Sequence, residues 1–287
     1  MEPLVSIGIP VKNGFSNKSE KDINLEKALH SILNQSYSNL EIIISNNNSN
    51  DKTNIFLENI SKTDKRLKIY KQSPEIFINE NFAFVLNKAS GKYFKWNGAD
   101  DILSSDFIEK NVEFLENNSD YSFSSSKFWF ESNKDKIYIN NLNEDLFRRL
   151  KNFLNIRFES HNMFHGLIRK KYLPIAQTCS NNLGHDWATC IGLLTIGKFK
   201  TLDEAHIVFG DKGISKSKDF FKYEWHTKKK IYTIIPFYEF SRYFFKLVFF
   251  LKLLSYSEKI ILWLMCIKLN LSFIKRKYRN KFNISIK

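Results

Sequence analysis

The stretch KYFKWNGADDILSS, residues 92–105, is the one on which the reading of this chain turns. An apolar and aromatic run (Tyr93, Phe94, Trp96) stops at Asn97 and Gly98, and two adjacent carboxylates, Asp100 and Asp101, follow at once. In an open parallel sheet, ligands bind just beyond the carboxyl ends of the strands, so acids placed there point into a cleft. Asn, Gly and Asp are also ordinary turn residues, and a plain surface turn competes for the same letters. The segments on either side decide between the two.

Upstream, Val5, Ile7 and Ile9 alternate in Leu4–Pro10 and predict a first strand. A polar loop holding Asn13 and Gly14 follows. Leu25, Ala28, Leu29, Ile32 and Leu33 then recur on one face of a helix that Asn24 is placed to cap. Glu41–Ile44 reads as a strand covered on both faces. Ser45–Asp51 is a polar loop, and a helix near Thr53–Ile60 and a strand at Leu67–Tyr70 come next. Phe82, Val85, Leu86 and Ala89 mark a third helix that ends near Gly91, and Tyr93–Trp96 then delivers the chain to Asp100. Strands alternating with helices make an α/β fold with a mostly parallel central sheet, which puts the acids at a strand's carboxyl end. The site reading therefore moves ahead of the turn.

Downstream, a helix is expected over about Ser105–Leu115, then short strands at Tyr121–Phe123, Phe128–Phe130 and Ile137–Ile139 that continue the sheet in mixed or antiparallel form. A helix near Glu144–Leu154 and a strand at Gly166–Arg169 follow. Asp186 opens a helix carrying Trp187, Cys190, Ile191 and Leu194 on one face, and Phe199–Leu202 and His206–Phe209 are the last strand candidates.

The 287 residues suffice for a large buried core, and the composition, 43% apolar and 26% charged, is that of a globular chain. The net charge of +14 is uneven: residues 221–287 hold 15 Lys/Arg against 3 Asp/Glu, while the first 220 hold 29 against 27. A basic protein can signal nucleic acid. Here the charge belongs to a tail that is also aliphatic and aromatic, so no nucleic-acid partner is expected. The longest apolar run of that tail, Ile260–Ile267, has eight residues, against about 20 needed to span a bilayer. On a helical wheel Arg242, Lys246, Lys252 and Lys259 cluster on one side, and Phe244, Leu247, Phe250, Leu251 and Leu254 fill the other arc. That is the composition of a helix lying in an anionic membrane surface, and a helix packed on the rest of the protein is the alternative. Cys179, Cys190 and Cys266 fit no metal spacing and read as buried thiols of a reducing compartment. With no secretory leader recognised, the expected location is cytoplasmic, peripheral on the inner face of the cell membrane.

Four segments, in order, resemble the family 2 glycosyltransferases, which have the GT-A fold, a Rossmann-like sandwich. VSIGIPVKNG at 5–14 is similar to the family's opening strand, and ALHSILNQSYSNLEIIISNNNSNDKT at 28–53 to its helix, second strand and nucleotide loop. SGKYFKWNGADDIL at 90–103 is similar to the strand leading to its DxD site, and GHDWATCIGLLTIGKF at 184–199 to the segment carrying its catalytic acid. The resemblance implies transfer of a sugar, with inversion, from a nucleotide-diphosphate sugar (a UDP-sugar first) to a hydroxyl of a cell-surface glycan or lipid-linked acceptor. It implies a nucleotide-sugar-binding half over 1–103 and an acceptor half over 104–220, and the composition of the tail adds a membrane-associating helical extension over 221–287. Asp100 matches the metal-binding acid for Mn²⁺ or Mg²⁺, helped by Asp101; Asp186 matches the base; Pro10, Asn13 and Asn46 match the nucleotide pocket. Two positions depart from the pattern. Gly98 stands where the first DxD acid would be, and Asn46 where an Asp would meet uracil.

Other readings stay beside this one. His206 is either a third metal ligand or, better, a structural histidine; His185 either lines the acceptor site or sits in a surface loop; His161 and His165 take no assignment. Lys212, Lys216 and Lys218 either close over the diphosphate or form a solvated loop. A sugar nucleotidyltransferase would need a Gly/Arg-rich phosphate loop after the first strand, and none is there. A degenerate member that binds a nucleotide sugar or a partner without turnover is kept open by Gly98 and Asn46.

Overall fold

The structure, a computed structural model, describes residues 2–15, 22–176, 184–211, 235 and 237–284. Strand β1 (Val5–Val11) buries Val5, Ile7 and Ile9 against helix α1 (Leu25–Leu33), whose Asn24 cap accepts the Lys27 N–H at 3.2 Å. Strand β2 (Leu40–Asn47) is buried at every position. It runs parallel between β1 and β3 (Leu67–Gln72), and β1 pairs in parallel with β4 (Tyr93–Trp96) on its other side. Helices α2 (Thr53–Ile60) and α3 (Ile78–Lys88) make the crossovers. The strand order therefore runs 3-2-1-4. The chain turns back between β1 and β4, the switch point at which open α/β sheets bind ligands.

After β4 come β5 (Asp101–Leu103), α4 (Phe107–Asn117), β6 (Tyr121–Phe130), β7 (Asn133–Tyr138), α5 (Leu146–Ile156), a 3₁₀ turn (Arg157–Glu159), α6 (His161–Phe164), β8 (Leu167–Arg169), α7 (Leu173–Ala176), α8 (His185–Ile196) and β9 (Lys198–Phe209). Among the described residues they complete a nine-stranded sheet, β3-β2-β1-β4-β8-β6-β9-β5, with β7 on β6. β8 enters antiparallel to both β4 and β6, so the second half is mixed, as the sequence predicts. The strands predicted separately at 199–202 and 206–209 are one strand, kept on β6 by a register shift between Ser126 and Lys127. The two predicted at 121–123 and 128–130 are likewise one. Strand β5 has no counterpart in the sequence reading, because three residues carry too little pattern.

Hydrophobic packing lies on both faces of the sheet. One face packs α1, α2 and α4, through residues such as Leu29, Leu57 and Ile108. The other packs α3, α5 and α8, through Val85, Phe153 and Leu194. Two C-terminal helices, α9 (Tyr238–Phe250) and α10 (Tyr256–Ile284), join this second core through Phe237, Phe240, Phe244, Val248, Leu262, Cys266 and Leu269. This corrects the lipid-facing arc read from the sequence. Phe244 and Leu254 are buried, Leu247 and Leu251 pack on the same core, and only Phe250 of that arc is exposed, at 68%. Among the described residues no helix is long and apolar enough to cross a membrane. Cys190 and Cys266 are buried free thiols, as expected, and Cys179 lies outside the described residues.

Candidate active site

The β4–β5 turn places the two acids differently. Trp96 ends β4 fully buried, stacked on Phe164 with ring centroids 4.6 Å apart. Asn97 ties the turn together by donating to the Gly98 and Asp101 carbonyls at 2.9 and 3.0 Å. Asp100 is half-buried at the crest, and Asp101, 6% exposed, turns inward. The Asp101 carboxylate accepts the Gly98 N–H at 3.0 Å and lies 3.8 Å from His165 Nδ1. A Cβ at position 98 would lie 2.3 Å from Asp101 Oδ2. Glycine at 98 and an inward Asp101 are thus one arrangement, since a side chain at 98 would displace the carboxylate.

Beneath the turn sits Lys95, a cation inside an otherwise apolar strand. It is fully buried, lies 4.9 Å over the Phe107 ring and donates to the carbonyls of Trp96, at 3.2 Å, and of His165. Burial pushes Asp101 up, with the neighbouring Asp100 charge adding to it, and pushes Lys95 down; each charge in part offsets the other's shift. Burial, then Lys95, lowers His165 to about 3, so its ring is neutral. Lys95 and His165 are residues that sequence reasoning missed or left unassigned. A lysine in the middle of an aromatic strand was the available signal.

The residues that the resemblance assigns to the nucleotide pocket lie at the end of β1 and in the loops after β1 and β2. Asn13 adopts φ 54°, its N–H donates to Ser49 Oγ at 2.8 Å, and its Oδ1 accepts the Asn50 N–H at 2.9 Å. Gly14 donates to Thr53 Oγ1 at 2.9 Å, and Phe15 to Asp51 at 3.0 Å, so the two loops are laced together. Pro10 is half-buried at the end of β1. Asn46 is 2% exposed; its Oδ1 accepts the Ser49 N–H at 3.2 Å and its Nδ2 donates to Asn54 at 2.7 Å. It shapes the loop from below.

Helix α8 presents Asp186 in its first turn. Gly184 caps the helix with φ 87°, a left-handed conformation that costs glycine least, and packs beside Phe237 and Phe240. Asp186 is therefore in the first turn and not at the cap, its carboxylate taking the backbone N–H groups of Trp187 and of its own residue. It reaches solvent, while the protein mass around it pushes its pKa up to about 6, against those hydrogen bonds. Trp187 beside it stacks on Phe237 at 4.9 Å and meets the half-exposed Phe158 edge-on at 5.2 Å. Burial lowers His185 to about 4. Ring contacts link this segment to the β4–β5 turn: Phe164 lies 5.4 Å from His165 and 6.1 Å from His185.

His206 does not join the acids. It stacks on Trp129 at 4.6 Å, three residues back along β9 from Phe209, the partner of Asp101. The structural reading of that histidine is the one its surroundings favour. Lys212, Lys216 and Lys218 lie outside the described residues. No group of three or more His, Cys, Asp or Glu able to hold a metal occurs among the described residues. The acid at the crest is the half-buried Asp100. That fits a cation carried mostly by a ligand's phosphates, as Mg²⁺ is commonly held by one or two carboxylates plus substrate oxygens.

Known proteins share this fold. A Haemophilus influenzae protein described as an uncharacterized glycosyltransferase is 40% identical over 110 residues, 38% of this chain and 32% of its own. The GalNAc(5)-diNAcBac-PP-undecaprenol beta-1,3-glucosyltransferase of Campylobacter jejuni is 37% identical over 108 residues, 36% of this chain and 31% of that one. The chain thus spans about a third of the length of these relatives. Among solved structures, S. aureus TarS 1-349 in complex with UDP-GlcNAc superposes with a TM-score of 0.68 at 13% identity, over 99% of this chain and 76% of that one. The mannosyltransferase PcManGT from Pyrobaculum calidifontis, in complex with GDP-Man and Mn²⁺, gives 0.53 at 16% identity over 74% of this chain and 59% of that one. These likenesses show a shared fold, and the fold is the GT-A type that the sequence predicts. The model for glycosyl transferase family 2 matches residues 6–173, more than half the chain, and the chain belongs to that family.

Proposed function

We propose that the protein transfers a sugar from a nucleotide-diphosphate sugar, a UDP-sugar first, to a hydroxyl of a glycan or lipid-linked acceptor, with inversion. The observation that supports this is the link between the two acidic segments through Phe164, whose ring lies 5.4 Å from His165, itself 3.8 Å from Asp101, and 6.1 Å from His185, the neighbour of Asp186. Asp100 follows the carboxyl end of β4, which pairs with β1, and Asp186 lies in the first turn of α8. The UDP-GlcNAc bound by TarS supports the donor, and the undecaprenol-linked substrate named for the Campylobacter jejuni relative supports the acceptor class. An acceptor on a lipid carrier would place the protein at the inner face of the cell membrane.

In this reading Asp186 takes the proton of the acceptor hydroxyl as its oxygen bonds to the sugar's anomeric carbon. The bond from that carbon to the diphosphate breaks on the opposite side, and the nucleoside diphosphate leaves. One displacement inverts the configuration. Asp100 would hold Mn²⁺ or Mg²⁺, which when bound neutralises charge building on the departing diphosphate. Asp101, turned in on Gly98, holds the turn that presents Asp100.

A second reading, donor binding without turnover, is favoured by the replacement of an acid by Gly98. UDP release from UDP-sugars in the presence of Mn²⁺, measured beside the thermal shift each donor causes, separates the two. Release that Asp186→Asn removes while the thermal shift persists is the expected result. A donor-induced shift with no release from any UDP-sugar, with or without added glycan and lipid-linked acceptors, would leave the binding reading alone.

A further inference from the structure

Helix α10 has two apolar faces. Leu262, Cys266 and Leu269 are buried against the protein, and Asn270 on the same side donates to Ser241 Oγ at 2.8 Å and accepts the Phe237 N–H at 3.2 Å. The opposite side carries Tyr256, Ile260, Leu264, Ile267 and Leu271, exposed at 81, 40, 60, 46 and 53%. At about 100° per residue these five fall within roughly 80° of one another, on the side away from the buried stripe. The end of α9 and the turn after it extend this surface with Phe249, Phe250 and Leu253, exposed at 61, 68 and 83%.

We propose that this outer face of the α9–α10 elbow lies on an anionic lipid bilayer. Charge selects that occupant. Exposed Lys252 stands beside Leu253, and exposed Lys268 and Lys275 border the α10 stripe. The helix sequence continues with Arg276, Lys277, Arg279 and Lys281. The nearby acids are engaged: Glu239 pairs with Arg242 at 2.7 Å, and Glu258 accepts from Ser255 at the helix start. Two copies meeting on this stripe would set lysines against lysines, with no acid on the face to pair them. A bilayer of anionic headgroups takes both the cations and the apolar side chains, the mode of an interfacial helix. The apolar run of α10 is too short to span, so it lies in the surface. This surface is distinct from the arc predicted from the sequence, which packs inward. The inference stands apart from the transfer reading and survives that reading's failure.

The test is co-sedimentation of the full chain with phosphatidylcholine vesicles and with vesicles of phosphatidylcholine and phosphatidylglycerol, beside light scattering for oligomeric state. Binding to the mixed vesicles that weakens with salt is expected. Leu264→Glu should lower it about tenfold or more. Lys268→Gln with Lys275→Gln should lower it about tenfold, chiefly at low salt. Ile55→Glu, an exposed change on α2, should leave it unchanged, and all variants should keep the parental melting temperature because every altered side chain is exposed or half-exposed. No binding to mixed vesicles, or binding that both α10 variants leave intact, overturns the proposal. A dimer that Leu264→Glu converts to monomer, without vesicle binding, overturns it in favour of a second copy.

Discussion

Asp186 gives the sharpest test of the proposed chemistry because its surroundings set a number. An ordinary aspartate near 3.8 would be more than nine-tenths ionised at pH 5 and would leave the rate flat down to that pH. Here the surrounding protein pushes the group up to about 6. The sign follows: the base must be ionised to accept a proton, so activity is fully present well above pH 6 and falls as the pH drops through it. At pH 7 about nine-tenths of the enzyme carries the ionised base, and at pH 5 about one-tenth. UDP release under kcat/KM conditions should therefore be about tenfold lower at pH 5 than at pH 7, with a limiting slope of one. His185 beside it is pushed down to about 4, so its own titration falls below this limb. Asp186→Asn keeps the size and hydrogen-bonding shape but cannot take the proton. It should lose about a hundredfold or more in rate, keep the donor-induced thermal shift, and lose the limb near 6. A parental profile that is flat from pH 7 to 5, or an Asn variant releasing UDP at near the parental rate, would refute the assignment.

Three further outcomes are expected. Gly98→Ala should destabilise by about 1–3 kcal/mol in urea unfolding, and Asp101→Ala in the same chain should recover part of that, because the added Cβ meets Asp101 Oδ2 at 2.3 Å; independent, additive effects would break the coupling. Burial alone would raise Glu41, yet hydrogen bonds from Lys68, Ser6 and Ser90 hold it down at about 2, so its contribution of about 3 kcal/mol is present above pH 4.5 and lost as the pH falls toward 2. Glu41→Gln should abolish that acid limb, and an unchanged limb in the variant would show that other groups cause it. Removing residues 237–287 should cost cooperative unfolding, since Phe240, Phe244 and Leu262 close the core over α5 and α8; a truncated chain with the parental urea midpoint would show that packing to be incidental.

How far the sequence could be read follows from where pattern resides. The first half was legible almost to the residue. Val5, Ile7 and Ile9 face α1 and alternate with Ser6 and Gly8, which are buried on the other face, where a Cβ at Gly8 would lie 2.7 Å from Val85 of α3. Leu40–Asn47 is continuous because it too is covered on both faces. The second half was legible in outline only. β6 and β9 pair along most of their length, but polar residues such as Ser124–Ser126, Asp203 and Glu204 interrupt their apolar pattern, so each read as two short strands. The tail misled for a physical reason. Phe244 and Leu254 show the same periodicity whether a helix faces lipid or protein, and only packing tells which. At the site, Asp100 and Asp186 stood out as acids at a strand end and a helix start. Lys95, His161 and His165 did not, because their meeting with Asp101 and Phe209 is made by strand pairing between distant segments.

Gly98 shows why counting acids in a motif misjudges a site. Read as letters, the chain lacks one carboxylate of a pair and should hold a cation weakly. In the fold, the adjacent Asp101 has turned into the space that a side chain at 98 would need, held by the Gly98 N–H. Burial, with the Asp100 charge beside it, draws it toward the protonated state against the pull of Lys95, and it is ill-suited to face a metal. The crest is left with Asp100, whose half-buried carboxylate can meet a cation that also needs a ligand's phosphate oxygens to fill its shell. A site of that kind binds donor and cation as one event, each raising the affinity for the other by the same factor. Metal added without donor should then produce little thermal shift and metal with UDP-sugar a larger one than donor alone, a difference that Asp100→Ala removes. Strong Mn²⁺ binding in the absence of donor would mean that ligands beyond Asp100 hold it.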